Sequence, residues 1–293
     1  MKTVWIVRYG EIGTKSEGIR KMFIERLIKN IEEALRTENI MYKGVKNLWS
    51  RVLVESTDEN VGSILSRVFG IKSISMAYEI KASIENMKKA ALKVFKRIHP
   101  RSFKIDARRI TKEFPLTSLE INRIVGEHIV KETGAKVDLK SPELTIGIEV
   151  LGEKAYIYTD RIPGPGGLPL GVEGRVLALV EDESDLVAAW LMMKRGCEIV
   201  PVTTRSIDVI SPLRRFMYGN KFDIMLVERL DKKKISKLVN DFKCLGICFG
   251  GRGKDFLPMI KDLGDVGVPV YTPDAFLPDD MYLEVLKRII SID

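Results

Sequence analysis

The sequence predicts a multidomain α/β chain in which small mixed α+β units precede a doubly wound parallel sheet. Three observations carry that prediction. The chain has 293 residues, more than one hydrophobic core usually serves, so two or three domains are expected. Segments with helical spacing alternate with strand-like segments along the whole length. A dense Pro/Gly stretch, Pro163-Gly164-Pro165-Gly166-Gly167-Leu168-Pro169-Leu170-Gly171, coincides with a shift from basic to neutral composition and marks a boundary.

Thr3 to Tyr9 alternates loosely and is rich in Val, Ile and Trp, which reads as a strand. Ser16 stands where an N-cap opens a helix over 17–36, with Ile19, Met22, Phe23, Leu27, Ile28, Ile31 and Leu35 at helical spacing. Val52-Leu53-Val54 follows as a strand. Asp58 is expected to cap a helix ended by Gly70, and a strand is expected near Ile71 to Ile80. Two βαβ-like units with intervening short strands point to a ferredoxin-like domain over 1–79.

A second unit is expected over 80–171. Ile84 to Ile98 is an amphipathic helix whose polar side carries Lys88, Lys89, Lys93, Lys96 and Arg97, and His99 ends it before Pro100. Phe103 to Ile110 alternates as a strand. Thr117 and Glu120 have capping-box spacing and open a helix through Ile121, Ile124, Val125, Ile129 and Val130 that Gly134 stops. Val137-Asp138-Leu139, Leu144 to Val150 and Ala155 to Tyr158 read as strands. Over 172–293, strands at Gly174–Val180, Glu198–Thr203, Ile224–Val227, Cys244–Phe249 and Val268–Tyr271 are interleaved with helices. That rhythm predicts the parallel sheet.

The net charge of +8 is unevenly placed. Residues 1–77 carry +4, residues 78–172 carry +5 and residues 173–293 carry −1. A localised surplus is the footprint of a polyanion-binding region. The same surplus also suits a thermophile's solvated surface, as does the absence of Gln beside abundant Lys, Glu, Arg and Ile. No stretch approaches the roughly 20 apolar residues of a membrane span, and the N-terminus has no signal-peptide pattern. Cys197, Cys244 and Cys248 fit a reducing compartment and give no disulfide framework. A cytoplasmic protein without a membrane partner is expected.

Three stretches, in order, resemble one family. Arg8-Tyr9-Gly10-Glu11-Ile12 with Lys15-Ser16 is similar to the opening motif of the tRNA 4-thiouridine synthetases, or tRNA sulfurtransferases. Phe103-Lys104 to Arg108-Arg109, Val137-Asp138-Leu139 and Gly166 to Gly171 resemble a THUMP RNA-binding domain. Val187 to Cys197 resembles the first helix of the family's ATP-pyrophosphatase (PP-loop) domain. The resemblance implies ATP- and Mg²⁺-dependent sulfur transfer to a tRNA uridine through a persulfide cysteine. It also implies a grip on the tRNA acceptor arm and its 3′ end, a homodimer, and a sulfur donor. On this reading Arg8, Lys15, Lys89, Lys93, Lys96, Arg97, Arg101, Lys104, Arg108, Arg109 and Lys112 are the RNA-binding candidates. Arg108 and Arg109 are adjacent on a strand and so point to opposite faces.

The chain departs from the family where the family binds ATP. The PP-loop reads Ser-Gly-Gly-x-Asp-Ser, whose small residues let backbone N–H groups approach pyrophosphate at a helix N-terminus. Here the positions hold Val180, Glu181, Asp182, Glu183, Ser184 and Asp185. Such acids suit a helix dipole, with Ser184 as the expected cap; a metal-binding role is the alternative. Leu213 stands where the family has a cysteine, before Arg214-Arg215-Phe216-Met217. Cys244 and Cys248 are expected on one side of a central strand as buried small apolar groups. Gly250-Gly251-Arg252-Gly253-Lys254 reads as an anion-binding turn or as a simple turn, and it lacks Walker A spacing. His99 and His128 are isolated, so no metal site or catalytic triad is expected.

The leading expectation is therefore a tRNA-binding relative with a decayed nucleotide site, no cofactor and no catalytic residue of its own. It would serve as an RNA-presenting subunit for a separate catalyst or as a stand-alone tRNA binder. The rivals are a sulfurtransferase with an altered site or a partner acting in trans, and a nucleotide-binding or interaction protein without RNA.

Overall fold

The computed structural model describes residues 1–48, 50–252, 257–264 and 266–291. The elements run β1 (Lys2–Tyr9), α1 (Glu17–Thr37), β2 (Val45–Asn47), β3 (Val52–Val54), α2 (Val61–Leu65), β4 (Ile71–Lys81) and α3 (Ile84–Ile98). Then come β5 (Ser102–Arg109), α4 (Ser118–Thr133), β6 (Lys136–Val137), β7 (Leu144–Leu151), β8 (Lys154–Tyr158) and β9 (Ile162–Pro163). Next are β10 (Arg175–Leu179), α5 (Glu183–Lys194), β11 (Glu198–Thr203), α6 (Ile207–Ile210) and β12 (Met225–Leu226). The chain closes with α7 (Lys232–Asp241), β13 (Ile247–Cys248), α8 (Leu257–Leu263), β14 (Val270–Tyr271) and α9 (Asp279–Ile290).

Two compact units result. The first gathers Met1–Arg8, Asn39–Ser66 and Ser73–Pro163. Among the described residues its sheet has nine strands in the order β2-β3-β1-β4-β8-β7-β5-β6, with β9 beside β4. One face carries Phe103, Ile105 and Ala107 of β5 and Ile146 and Ile148 of β7, packed under Met87, Ala91 and Phe95 of α3 and Ile121, Val125 and Ile129 of α4. Gly62 of α2 lies so close to Trp5 that an added Cβ would come within 2.8 Å of its ring. The opposite face carries Val4, Ile6, Leu53, Ala77, Tyr156 and Tyr158.

Local chemistry accounts for the helix ends here. The Thr117–Glu120 capping box is formed in both directions, and Gly134 closes α4 at φ 71°. Ser83 caps α3 through the Asn86 N–H, and His99 ends it at φ 55°. Two expectations are corrected. The helix expected from Asp58 is the five-residue α2 with Asn60 at its N-cap, because the Asp58 carboxylate instead accepts from the Asn60 N–H at 2.9 Å. The strand expected over Val137 to Leu139 stops at Val137, because Asp138 turns the chain by accepting from the Lys140 and Ser141 N–H groups.

The second unit gathers Tyr9–Glu38, Arg67–Lys72 and the chain from Gly164. Its five strands, β12-β11-β10-β13-β14, are all parallel. That order places the first strand in the middle and reverses direction beside it, as a doubly wound sheet does. Trp190 and Met193 of α5, Leu286 and Ile289 of α9, Phe69 and Phe216 cover one face. Ile235, Leu238 and Val239 of α7 and Leu263 of α8 cover the other. Helix α5 is apolar nearly all round because it lies between the sheet and α9.

Helix α1 is fastened inside this unit. Arg26 donates to the Leu170 carbonyl at 2.7 Å and Asn30 donates to the same oxygen at 3.0 Å. The Pro/Gly stretch is an ordered, packed segment: Leu168 and Leu170 are buried. Gly167, at φ 72°, approaches the Lys194 carbonyl so closely that a Cβ would stand 2.0 Å from it.

The cysteine expectation is also corrected. Cys248 packs with Trp190 on one side of the sheet and Cys244 with Leu177 and Phe249 on the other. Only Ile247 and Cys248 pair in the ladder, and Lys243 turns at φ 51°, so strand alternation does not reach back to Cys244.

Candidate nucleic-acid interface

Helix α3 buries Met87, Ala90, Ala91, Val94 and Phe95, which leaves Lys89, Lys93, Lys96 and Arg97 exposed on the remaining face. These four line a cleft of about 1000 Å³ whose floor includes Met76, Tyr78, Leu92 and Ile157. The Arg97 guanidinium donates to the Tyr78 hydroxyl at 3.1 Å. Basic side chains over an apolar, partly aromatic floor match what unstacked bases and their phosphates require. Four of the sequence candidates therefore converge on one feature.

The others are dispersed. On β5, Lys104, Asp106 and Arg108 share the face turned away from α3 and α4, and Arg108 lies 3.6 Å from Asp106. Arg109 points the other way and donates to the Phe114 carbonyl at 3.0 Å. Arg101 is exposed beside Glu143 at 3.4 Å, and Lys112 is exposed. Lys15 belongs to the second unit, its ammonium 5.9 Å from the Phe23 ring. Arg8 is 5% exposed. It donates to Glu149 at 2.6 Å and to Ser75 at 3.0 Å, so it organises the sheet face from inside.

Glu149 was not among the sequence candidates, nor were its other partners. Arg51 reaches it at 2.8 Å, Arg161 stands 3.9 Å away and the Tyr158 hydroxyl donates at 3.3 Å. Burial pushes the Glu149 carboxyl up, but the Arg8 and Arg51 guanidiniums outweigh it and hold the group below the ordinary glutamate range. The only sequence signal was a glutamate inside a mainly apolar strand, Leu144–Leu151.

In the second unit, the loop after β10 is drawn together by its own carboxylates. Asp182, not Ser184, is the N-cap of α5, in a reciprocal capping box with Asp185. A carboxylate one residue ahead of Glu183 reaches the helix donors, while Ser184 lies inside the first turn and donates to Asp274 at 2.7 Å. Asp185 accepts from the Glu181 and Asp182 N–H groups at 2.8 and 3.2 Å and from Gly250 at 2.6 Å. Buried Asp274 also accepts from Gly251 at 2.9 Å. Glu181 accepts from the Thr204 N–H at 2.7 Å. A Cβ on Gly250 would stand 2.0 Å from the Ser184 hydroxyl, so the loop after β13 lies directly on the helix N-terminus. Gly253 and Lys254 lie outside the described residues.

Beside this clasp is a cleft of about 600 Å³ lined by Glu181, Asp182, Asp185 and Glu228 and by Arg205 and Arg229. Leu213 is fully buried. Burial pushes the Cys197 and Cys244 thiols up to about 11 and the Cys248 thiol higher still, which removes thiolate character.

Residues 4–75 match the ThiI ferredoxin-like domain and residues 81–160 match the THUMP domain. A probable tRNA sulfurtransferase of Thermococcus kodakarensis is 40% identical over 339 residues, covering 99% of this chain and 88% of that protein. The chain belongs to the tRNA sulfurtransferase family. That matched span exceeds the 293 residues here, so the relative carries internal residues without a counterpart in this chain. A bacterial relative, from Natranaerobius thermophilus, is 40% identical but is covered over 50% of its length.

Two solved structures are similar throughout. One is a Pyrococcus horikoshii protein, 40% identical, with a TM-score of 0.88 over 98% of this chain and 99% of that one. The other is a 4-thiouridine synthetase in complex with RNA and ATP, 27% identical, with a TM-score of 0.77 over 99% of this chain and 85% of that one. Among the described residues, no helix is long and apolar enough to cross a membrane.

Proposed function

We propose that this chain binds tRNA and serves uridine thiolation as an RNA-presenting member of its family, without an ATP site of its own. The α3 cleft supports the RNA half of this reading: Lys89, Lys93, Lys96 and Arg97 border an apolar floor, within a domain of a type found in a solved RNA complex.

The closed N-terminus of α5 carries the other half. A phosphate seated on this loop would compete for the N–H groups of Glu181, Asp182 and Gly250, and Asp185 already accepts from all three. Four carboxylates within five residues, Glu181 to Asp185, would repel a triphosphate. The three buried thiols support a sulfur donor and a catalyst supplied by other proteins. The family resemblance adds a homodimer to this reading.

The likeness to an ATP-bound synthetase favours a second reading, an active sulfurtransferase with an altered site. Calorimetry with ATP and Mg²⁺ separates the two. No heat of binding is expected, and micromolar ATP affinity would refute the proposal. Titration of labelled tRNA at several salt concentrations tests the RNA half. Affinity should fall with salt in proportion to the phosphates contacted, and an absence of binding would remove that half. Thionucleoside analysis of tRNA from cells with and without the gene then ties binding to modification.

A further inference from the structure

The face of the first unit's sheet that α3 and α4 do not cover has no role in the cleft just described. On this face the Glu149 side chain is 1% exposed and has three guanidiniums around it, those of Arg8, Arg51 and Arg161. Arg108 stands beside it, since Arg108 and Glu149 are register partners on β5 and β7. One carboxylate cannot neutralise three arginines, so the cluster holds a surplus of two positive charges. The Arg8 side chain is 6% exposed, and its Nη2 has no hydrogen-bond partner among the described residues.

The surplus reaches solvent at defined points. The side chains of Arg51, Arg161 and Arg108 are 18%, 37% and 50% exposed. Arg161 is oriented from below, and Arg51 is held by Glu149 at 2.8 Å and by the Ser50 carbonyl at 2.7 Å. The Tyr158 ring lies across Gly147, where a Cβ would stand 2.3 Å from it. Arg8 and Arg161 sit 4.6 and 5.8 Å from the centre of that ring, and Arg161 donates to its hydroxyl at 2.9 Å. Guanidiniums held in this way lose little freedom on meeting a ligand, and their planar forks match phosphate oxygens.

We infer that this face is a phosphodiester-binding surface in which Arg51, Arg108 and Arg161 take backbone phosphates of the RNA, with Glu149 and Arg8 as the positioning residues. The inference rests on the tRNA reading above and assigns it a second contact surface. The α3 cleft suits a single strand with its bases turned in. A sheet face bearing arginines suits the sugar–phosphate backbone of a duplex stem.

The test is tRNA binding by the full chain across a salt series, comparing the unaltered protein with Arg51→Gln/Arg161→Gln and with Lys93→Ala/Lys96→Ala. The arginine pair is expected to flatten the slope of log affinity against log salt by roughly one to two units. An unchanged slope, with binding and thermal stability retained, overturns the inference while leaving the α3 reading in place. Absence of tRNA binding by the unaltered chain overturns both. Should the double variant fail to fold, Arg161→Gln alone, at the more exposed position, is expected to flatten the slope by roughly half to one unit. No change in that variant overturns the inference. Arg161→Lys keeps the charge and loses the fork, so it should preserve the slope and lower affinity several-fold.

Discussion

The two units bury carboxylates in opposite ways. In the first, Glu149 is met by side chains, and its three arginines leave net positive charge directed outward. In the second, Asp185 and Asp274 are met largely by backbone N–H groups, so the positive potential of a helix N-terminus is spent within the chain. A buried carboxylate thus gathers arginine side chains in one place and satisfies backbone donors in the other. The contrast is what the proposed division of roles rests on, polyanion contact for the first unit and an inward, structural role for the loop of the second.

The largest expected effect comes from breaking the first arrangement. Glu149→Gln leaves the Arg8 and Arg51 guanidiniums, 6% and 18% exposed, without their counter-charge and should cost about 3–5 kcal/mol of stability in a denaturant melt. A pH signature accompanies it. The folded-state pKa of Glu149 is depressed, so its contribution is complete above the unfolded glutamate value near 4.5 and is lost as pH falls below it. The unaltered protein should therefore lose stability on acidification through that range, and Glu149→Gln should lose less. Equal acid sensitivity in both would assign it to other carboxylates.

Breaking the second arrangement should cost less and change no RNA contact. Asp274 accepts from the Ser184 hydroxyl and the Gly251 N–H. Asp274→Asn retains one acceptor oxygen and removes the charge, at a cost of about 2–3 kcal/mol. Its tRNA affinity should match the unaltered chain's. A tenfold loss would show that the clasp supports the RNA face and would end the division of roles drawn above.

How much of this was legible in the sequence differs between the units for physical reasons. Local signals translated well: the helix over 84–98, the Thr117–Glu120 box, Gly134 and the strand over 198–203 all depend on neighbouring residues. The basic face of α3 followed from periodicity alone. Glu149 and its arginines did not, because Arg8, Arg51 and Arg161 lie 141, 98 and 12 positions from it and meet only when β1, β3, β7 and β8 join one sheet. The acidic loop was visible as a departure from the family motif. Its closure was not, because Gly250 and Asp274 arrive from strands far along the chain. The cysteines misled because a two-residue ladder pairing was too short to carry alternation back to Cys244.

A surface contrast should move affinity without moving stability. Lys93 and Lys96 are exposed on α3, and removing both ammonium groups should leave the melting curve within about 0.5 kcal/mol. Each lysine that contacts a phosphate should flatten the salt slope by about one unit, with affinity lower by roughly tenfold at low salt. A shift in stability with unchanged affinity would assign these lysines to the fold.

The smallest effect compares the two capping boxes, which pair the same backbone geometry with different surroundings. At α4 the box is exposed, with Thr117 as cap and Glu120 as its reciprocal partner. Thr117→Ala should cost about 1 kcal/mol and nothing else. At α5 the cap is Asp182, beside the clasp. Asp182→Ser keeps an oxygen for the Asp185 N–H and deletes one negative charge, so the cap itself should survive with a change of only a few tenths of a kcal/mol. If the occupied backbone donors are what exclude a triphosphate, this substitution alone should still fail to admit ATP, because Asp185 continues to hold the Gly250, Glu181 and Asp182 N–H groups. ATP binding by Asp182→Ser would instead locate the barrier in a single charge and leave the backbone donors available, which calorimetry reads directly.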